Sequence, residues 1–297
     1  MRIHLAPLLA CLGLASGCQL GAYFIRDAQQ PMQALEARMD PRARRECLIV
    51  FMPGMLDTPD TFVEQGFLRD ATRASDRCDL VAVDAHFGYY RDGSVRERVH
   101  EDVLRVAELR GYREIWMVGI SMGGIGTLMV TSRAPERVRG VVLLAPFLGD
   151  PALMRAVDEA GGLASWEPPA APDPDDPDEF DDAIWAWLKG YAERPEDMPA
   201  MFLAVGSEDR LRPGVDLLEA VLPEGHVGTA PGGHGWSTWR VLWRRLLRNP
   251  PWDPDPARVA AGRPPSFRGG AGSAARQAGR RPTGDPHRPS GASAPPR

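Results

Sequence analysis

Glu114-Ile115-Trp116-Met117-Val118 runs directly into Gly119-Ile120-Ser121-Met122-Gly123-Gly124, and a helical pattern then continues to Ser132. A G-x-S-x-G match alone is weak in a chain with 31 glycines. Its flanks give it meaning: an apolar run of strand length before it and a helix after it. A strand that turns at once into a helix forces the residue between them into a strained backbone state. The side chain of that residue then projects above the carboxyl edge of the sheet. Side chains at 119 and 123 would collide there with the neighbouring strand and helix, which accounts for glycine at both positions.

Similar apolar runs flank this segment on both sides. Cys47–Met52 and Leu80–Val83 precede it; Val138–Leu144, Met201–Val205 and about His226–Thr229 follow it. Helical patterns span about 60–74, 95–109 and 122–132, and Trp236, Trp239, Leu242, Trp243 and Leu246 recur at helical spacing as core residues. Alternating apolar runs and amphipathic helices predict βαβ units and a parallel sheet buried on both faces. Residues 19–46 offer only a short amphipathic helix, Met32–Met39, so a sheet of about six strands is expected.

Two segments break the rhythm. Residues 151–198 interrupt the fourth-to-fifth strand connection with 13 acidic against 3 basic residues, and carry Trp185 and Trp187. Residues 250–297 hold 8 basic and 3 acidic residues in a Gly/Pro/Arg-rich stretch expected to be disordered. The whole-chain net charge of −5 therefore hides a neutral core, an acidic insertion and a basic tail. A neutral core carries no nucleic-acid footprint. Only one of the 35 basic residues, Lys189, is lysine, which codon usage in a GC-rich genome explains.

The strand–Ser121–helix element resembles the α/β-hydrolase superfamily over about residues 45–247. The resemblance implies an α/β-hydrolase fold, with residues 151–198 as a lid inside a domain spanning 47–249. It also implies a Ser-Asp-His order of catalytic residues. The acid then falls in Gly206-Ser207-Glu208-Asp209, which makes Asp209 the match, with Glu208 or Asp150 as the alternatives. The histidine falls in Gly232-Gly233-His234-Gly235, which makes His234 the match. The backbone amides of Met122 and Met55 would form the oxyanion hole, with Leu56 in reserve, although Pro53-Gly54 stands where His-Gly is frequent. A phosphate-binding turn is disfavoured, because Ser121 occupies the place of the second glycine in G-x-G-x-x-G.

The implied activity is hydrolysis of a small-molecule carboxylic ester through an acyl-enzyme, with no cofactor or metal. Peptide or thioester cleavage uses the same groups, and a non-catalytic binding protein on this scaffold is the alternative of another class. His86 and the two insertion tryptophans, Trp185 and Trp187, are candidates for lining the substrate pocket or for plain packing. His100 and His226 are expected to be structural.

The chain begins with Arg2, an apolar run from Leu5 to Leu14, and Ala15-Ser16-Gly17-Cys18. That pattern predicts a signal peptide over residues 1–17 and a linker over 18–46. The run is shorter than the ~20 residues of a membrane span. The processing site resembles that of bacterial lipoproteins, with Cys18 lipidated, but Ala15 stands where a larger aliphatic residue is usual. Ordinary cleavage nearby is the alternative, and both imply export to the bacterial cell envelope, with membrane attachment only if Cys18 is modified. A monomer is expected. Cys47 and Cys78 begin neighbouring apolar runs, and either pair as a disulfide, which an oxidising compartment permits, or remain buried thiols.

Overall fold

The computed structural model describes residues 21–37, 45–176, 178–260 and 265–267. The signal peptide and Cys18 lie outside these residues. Seven strands form one sheet: β1 (Ala34–Ala37), β2 (Cys47–Met52), β3 (Cys78–Val83), β4 (Glu114–Ile120), β5 (Gly140–Leu144), β6 (Ala200–Gly206) and β7 (Val227–Ala230). Their order is β1-β3-β2-β4-β5-β6-β7. β1 pairs antiparallel with β3, and every other pairing is parallel. All residues of β2, β3 and β5 are buried, as expected of parallel strands covered by helices on both faces.

The chain passes from β2 to one side for β3 and returns to the other side for β4. Loops leaving the carboxyl ends of β2 and β4 therefore diverge at a topological switch point, where ligands bind in sheets of this kind. The helices are α1 (Pro59–Glu64), α2 (Phe67–Ala74), α3 (Phe87–Arg91), α4 (Val95–Val99), α5 (Arg105–Leu109), α6 (Met122–Arg133), α7 (Pro151–Glu159), α8 (Phe180–Leu188), α9 (Gly190–Glu193), α10 (Arg212–Glu219), α11 (Trp236–Leu246) and α12 (Pro256–Ala260). None is long and apolar enough to cross a membrane, among the described residues.

Four expectations are corrected. The helix expected over Met32–Met39 is an edge strand at Ala34–Ala37; residues 38–39 lie outside the described chain. Local periodicity lost there to the open edge of β3, which pairs with four residues from Ala34 to Ala37. The sheet consequently has seven strands rather than six. The helix expected over 60–74 is two helices, because Gly66 takes a φ of 77° between them.

The tail expected to be disordered from residue 250 is packed at its start. Trp252 is buried with its ring 5.7 Å from Trp243 and 6.2 Å from Trp116. α12 follows, and Phe267 is buried with its amide on the Gly225 carbonyl at 3.0 Å. Average composition over the segment concealed these two apolar anchors. The remaining tail lies outside the described residues.

Cys47 and Cys78 stand opposite each other in the β2–β3 register and are joined by a disulfide. The bridge closes a loop with a sequence separation of 31. Loop-closure entropy for that length predicts about 3–4 kcal/mol of stabilisation. Replacing both cysteines by alanine is expected to lower the urea unfolding free energy by that order. A loss below about 1 kcal/mol would show that strain or residual structure cancels the gain.

Candidate active site

Ser121 sits between the last residue of β4 and the first of α6 with φ 52° and ψ −116°. A non-glycine residue there is strained by about 1–3 kcal/mol, so its surroundings must over-determine it. They do: the Ser121 amide donates to the Leu144 carbonyl at 3.0 Å, and its carbonyl accepts from Gly124 and Phe147, each at 2.9 Å. A Cβ on Gly119 would strike the Gly123 carbonyl and the Thr127 hydroxyl, and one on Gly123 would strike the carbonyls of Met52 and Pro53. The turn at Ser121 is thus pressed against the end of β2. Tyr90 supports α6, its hydroxyl donating to the Met122 carbonyl at 3.3 Å; burial of that hydroxyl raises its pKa far above the ordinary phenol value.

The loops after β6 and β7 complete a hydrogen-bonded line. Ser121 Oγ lies 2.9 Å from His234 Nε2, and His234 Nδ1 lies 3.0 and 2.9 Å from the two oxygens of Asp209. The Asp209 side chain is fully buried, and its Oδ1 also accepts the Leu211 amide at 2.9 Å. The His234 ring rests edge-on against Trp239, with centroids 5.0 Å apart. Neither rival acid takes this place: Glu208 is exposed, and Asp150 caps α7 through the Ala152 amide at 2.7 Å. Among the described residues no group of three or more His, Cys, Asp or Glu could hold a metal.

The remaining candidates fall elsewhere. Trp185 is fully buried, and its indole N–H donates to the Leu148 carbonyl at 2.8 Å, so it fastens the insertion to the end of β5. Trp187 is half-buried, edge-on to Tyr191. His86 is fully buried as the N-cap of α3, its Nδ1 accepting the Gly88 amide at 3.1 Å. Burial, reinforced by nearby Arg26, lowers its pKa and keeps it neutral. His226 precedes β7 and stacks on Phe202 at 4.2 Å; burial lowers its pKa too. His100 lies in a π-helical turn between α4 and α5.

Residues 48–192 match the family model for the alpha/beta hydrolase fold. The chain has the α/β-hydrolase fold. No curated protein matches it. Similar solved structures include an S-formylglutathione hydrolase from Staphylococcus aureus, at 15% identity over 75% of this chain and 96% of that one, with a TM-score of 0.48. Est1E from Butyrivibrio proteoclasticus, solved with ferulic acid, is 13% identical over 73% and 92%, with a TM-score of 0.49. A monoacylglycerol lipase from Paleococcus ferrophilus is 14% identical over 73% and 98%, with a TM-score of 0.45.

Within this fold the turn after β2 carries groups that sequence reasoning missed. The Asp57 amide closes a turn on the Gly54 carbonyl at 3.2 Å, and Leu56 inside it has a φ of 70°. Leu at that position is strained, so contacts must hold it. Asp57 Oδ1 accepts the Trp236 indole N–H at 3.2 Å, tying the turn to the helix that begins two residues after His234. No local pattern marks the pairing of Asp57 with Trp236, because residues 179 apart meet only through the fold.

Burial raises the Asp57 carboxyl above the usual range, while the Trp236 bond partly opposes the rise. Ionising it in the folded chain therefore costs stability as pH climbs through its folded pKa. Asparagine keeps an acceptor for Trp236 without the charge. Asp57→Asn is expected to raise the melting temperature near pH 7 and to leave it unchanged near pH 3, where the carboxyl is protonated in both states. An equal shift at both pH values would contradict this account.

Proposed function

We propose that the protein is a serine hydrolase that cleaves carboxylic esters through an acyl-enzyme. The observation that carries this reading is the unbroken line from Ser121 Oγ through the His234 ring to the Asp209 carboxylate. A serine hydroxyl is a poor nucleophile until a base takes its proton. His234 Nε2 is within reach to do so as Oγ attacks the ester carbonyl. Asp209 holds the proton on Nδ1 and offsets the charge of the imidazolium that forms.

The tetrahedral oxyanion needs two preorganised donors. We assign them to the amides of Met122 and Met55. Met122 opens α6, so its N–H has no acceptor within the helix. Gly54 packs against Ser121, so the next residue of the β2 turn, Met55, is taken as the second donor. The imidazolium then protonates the departing alkoxide, and the acyl group stays on Ser121. Water, deprotonated by His234, attacks the acyl carbon and regenerates the serine. The chemistry calls for no cofactor. We place the enzyme, as a monomer, in the cell envelope on the strength of its N-terminal pattern.

Ser121→Ala is expected to lower turnover of a short-chain chromogenic ester by roughly 10⁴-fold or more. A fluorophosphonate probe should label the wild-type chain and neither Ser121→Ala nor His234→Ala. Undiminished hydrolysis by Ser121→Ala would exclude Ser121 as nucleophile. An unlabelled wild-type chain would favour a binding protein on the same scaffold.

A further inference from the structure

Five of the nine large apolar side chains left exposed among the described residues lie on the side of the sheet that bears the candidate site. Phe24, Ile25, Met55, Leu56 and Phe147 are 38%, 75%, 47%, 47% and 42% exposed. Contacts and the order of the strands place them on the side of the sheet that bears Ser121. The Phe147 amide donates to the Ser121 carbonyl. A Cβ on Gly54 would stand 3.5 Å from that of Ser121, so the turn bearing Met55 and Leu56 flanks the serine. Phe24 packs edge-on to Phe87 with centroids 5.4 Å apart, and its carbonyl accepts from Arg91 at 3.0 Å. The short helical stretch at 21–25 is thereby held beside the loop that follows β3, the parallel neighbour of β2.

We propose that these five side chains form a rim that docks on a neutral lipid surface, and that the substrate is an acyl ester presented from that surface. The substrate half rests on the hydrolase reading above; the docking half does not. A cluster of exposed apolar groups around one opening marks an interaction site, whereas scattered ones do not. Leu109, 80% exposed just before the amino end of β4, is of the scattered kind.

Three observations select a lipid surface as the occupant. Two of the rim residues, Phe24 and Ile25, lie only a few residues beyond Cys18. If Cys18 carries lipid, five residue steps join it to Tyr23, which at full extension span at most roughly 17 Å. So short a tether holds the opening at the bilayer. Second, the rim lies on the carboxyl edge of the sheet with Ser121 inside it, so docking would bring the serine to the ester rather than away from it. Third, the insertion that starts at the rim, after Phe147, carries 13 acidic against 3 basic residues, which disfavours an anionic surface.

The test places an environment-sensitive fluorophore at Ile25→Cys, Phe147→Cys or Leu109→Cys, each in the full chain carrying Cys11→Ser and Cys18→Ser. Phosphatidylcholine vesicles containing nitroxide-labelled lipid serve as the quencher. Labels at 25 and 147 are expected to be quenched about threefold or more, with 109 unchanged. If only the N-terminal apolar run held the chain to vesicles, 25 would respond while 147 behaved like 109, and the rim would be overturned. No response at any position would overturn it as well. Stronger quenching on adding phosphatidylglycerol would overturn the preference for a neutral surface.

Wild-type chain should show a specificity constant for a long-chain ester in the vesicles about tenfold above that for a dissolved short-chain ester. Equal constants would overturn the substrate half. Quenching at 25 and 147 by a chain that cleaves neither ester would leave docking intact and remove the hydrolase reading instead.

Discussion

The backbone of Ser121 is the constraint on which the site depends. Its φ of 52° is tolerated because three hydrogen bonds fix the peptide groups around it, to Leu144, Gly124 and Phe147. The Leu144 bond exists only in the β4–β5 register that sets Ile120 opposite Leu144. Slipping that register by one residue would turn every side chain of the strand to the other face and withdraw the bond. Packing of the whole sheet therefore maintains one unfavourable dihedral, and the hydroxyl is aimed by the core rather than by its own loop.

Parallel strands do the remaining assembly. β2, β4, β6 and β7 all end on the same edge, so segments distant in sequence meet there without a long loop. Asp209 can be fully buried because its charge has partners: His234 on one side and the Leu211 amide on the other. A buried carboxylate without them would be costly. Asp57 and Trp236 add a cross-tie between the β2 turn and the start of α11, so that loop and histidine are not free to drift independently. Trp236 also packs edge-on to Phe62, Phe67 and Trp239, which makes the tie part of an aromatic cluster.

What was legible in the residues follows from the same physics. Fully buried strands read as continuous apolar runs, so Cys47–Met52 and Met201–Val205 were plain, and Ser121 stood out because a strand, a glycine pair and a helix coincide there. Asp209 and His234 were reached through the family resemblance, which places an acid and a histidine after two strands that are themselves readable. β1 was not legible: Ala34–Ala37 has alternating half-exposure and no apolar run, and only the open edge of β3 makes it a strand. Trp252 and Phe267 were hidden for the opposite reason, as single strong anchors in a segment whose average composition reads as disorder. Trp236 shares the helical spacing of Trp239 and Trp243, yet only those two are buried; tertiary contact with Asp57 separates it from them.

The acidic insertion shows how charge and packing divide their work. It is fastened by apolar burial: Ile184, Trp185 and Leu188 are each at most 2% exposed. Residues of that size contribute about 1.5–3 kcal/mol each when buried. Its ion pairs, Asp175 with Arg96 and Arg133 and Glu167 with Lys189, each include an exposed carboxylate. Exposed pairs contribute about 0–1 kcal/mol. Attachment therefore does not require the 13 acidic residues, most of which face solvent. Their field instead acts on whatever approaches the opening at Phe147, where the insertion begins. A surface or ester bearing negative charge is opposed there, while a neutral apolar one meets the exposed rim.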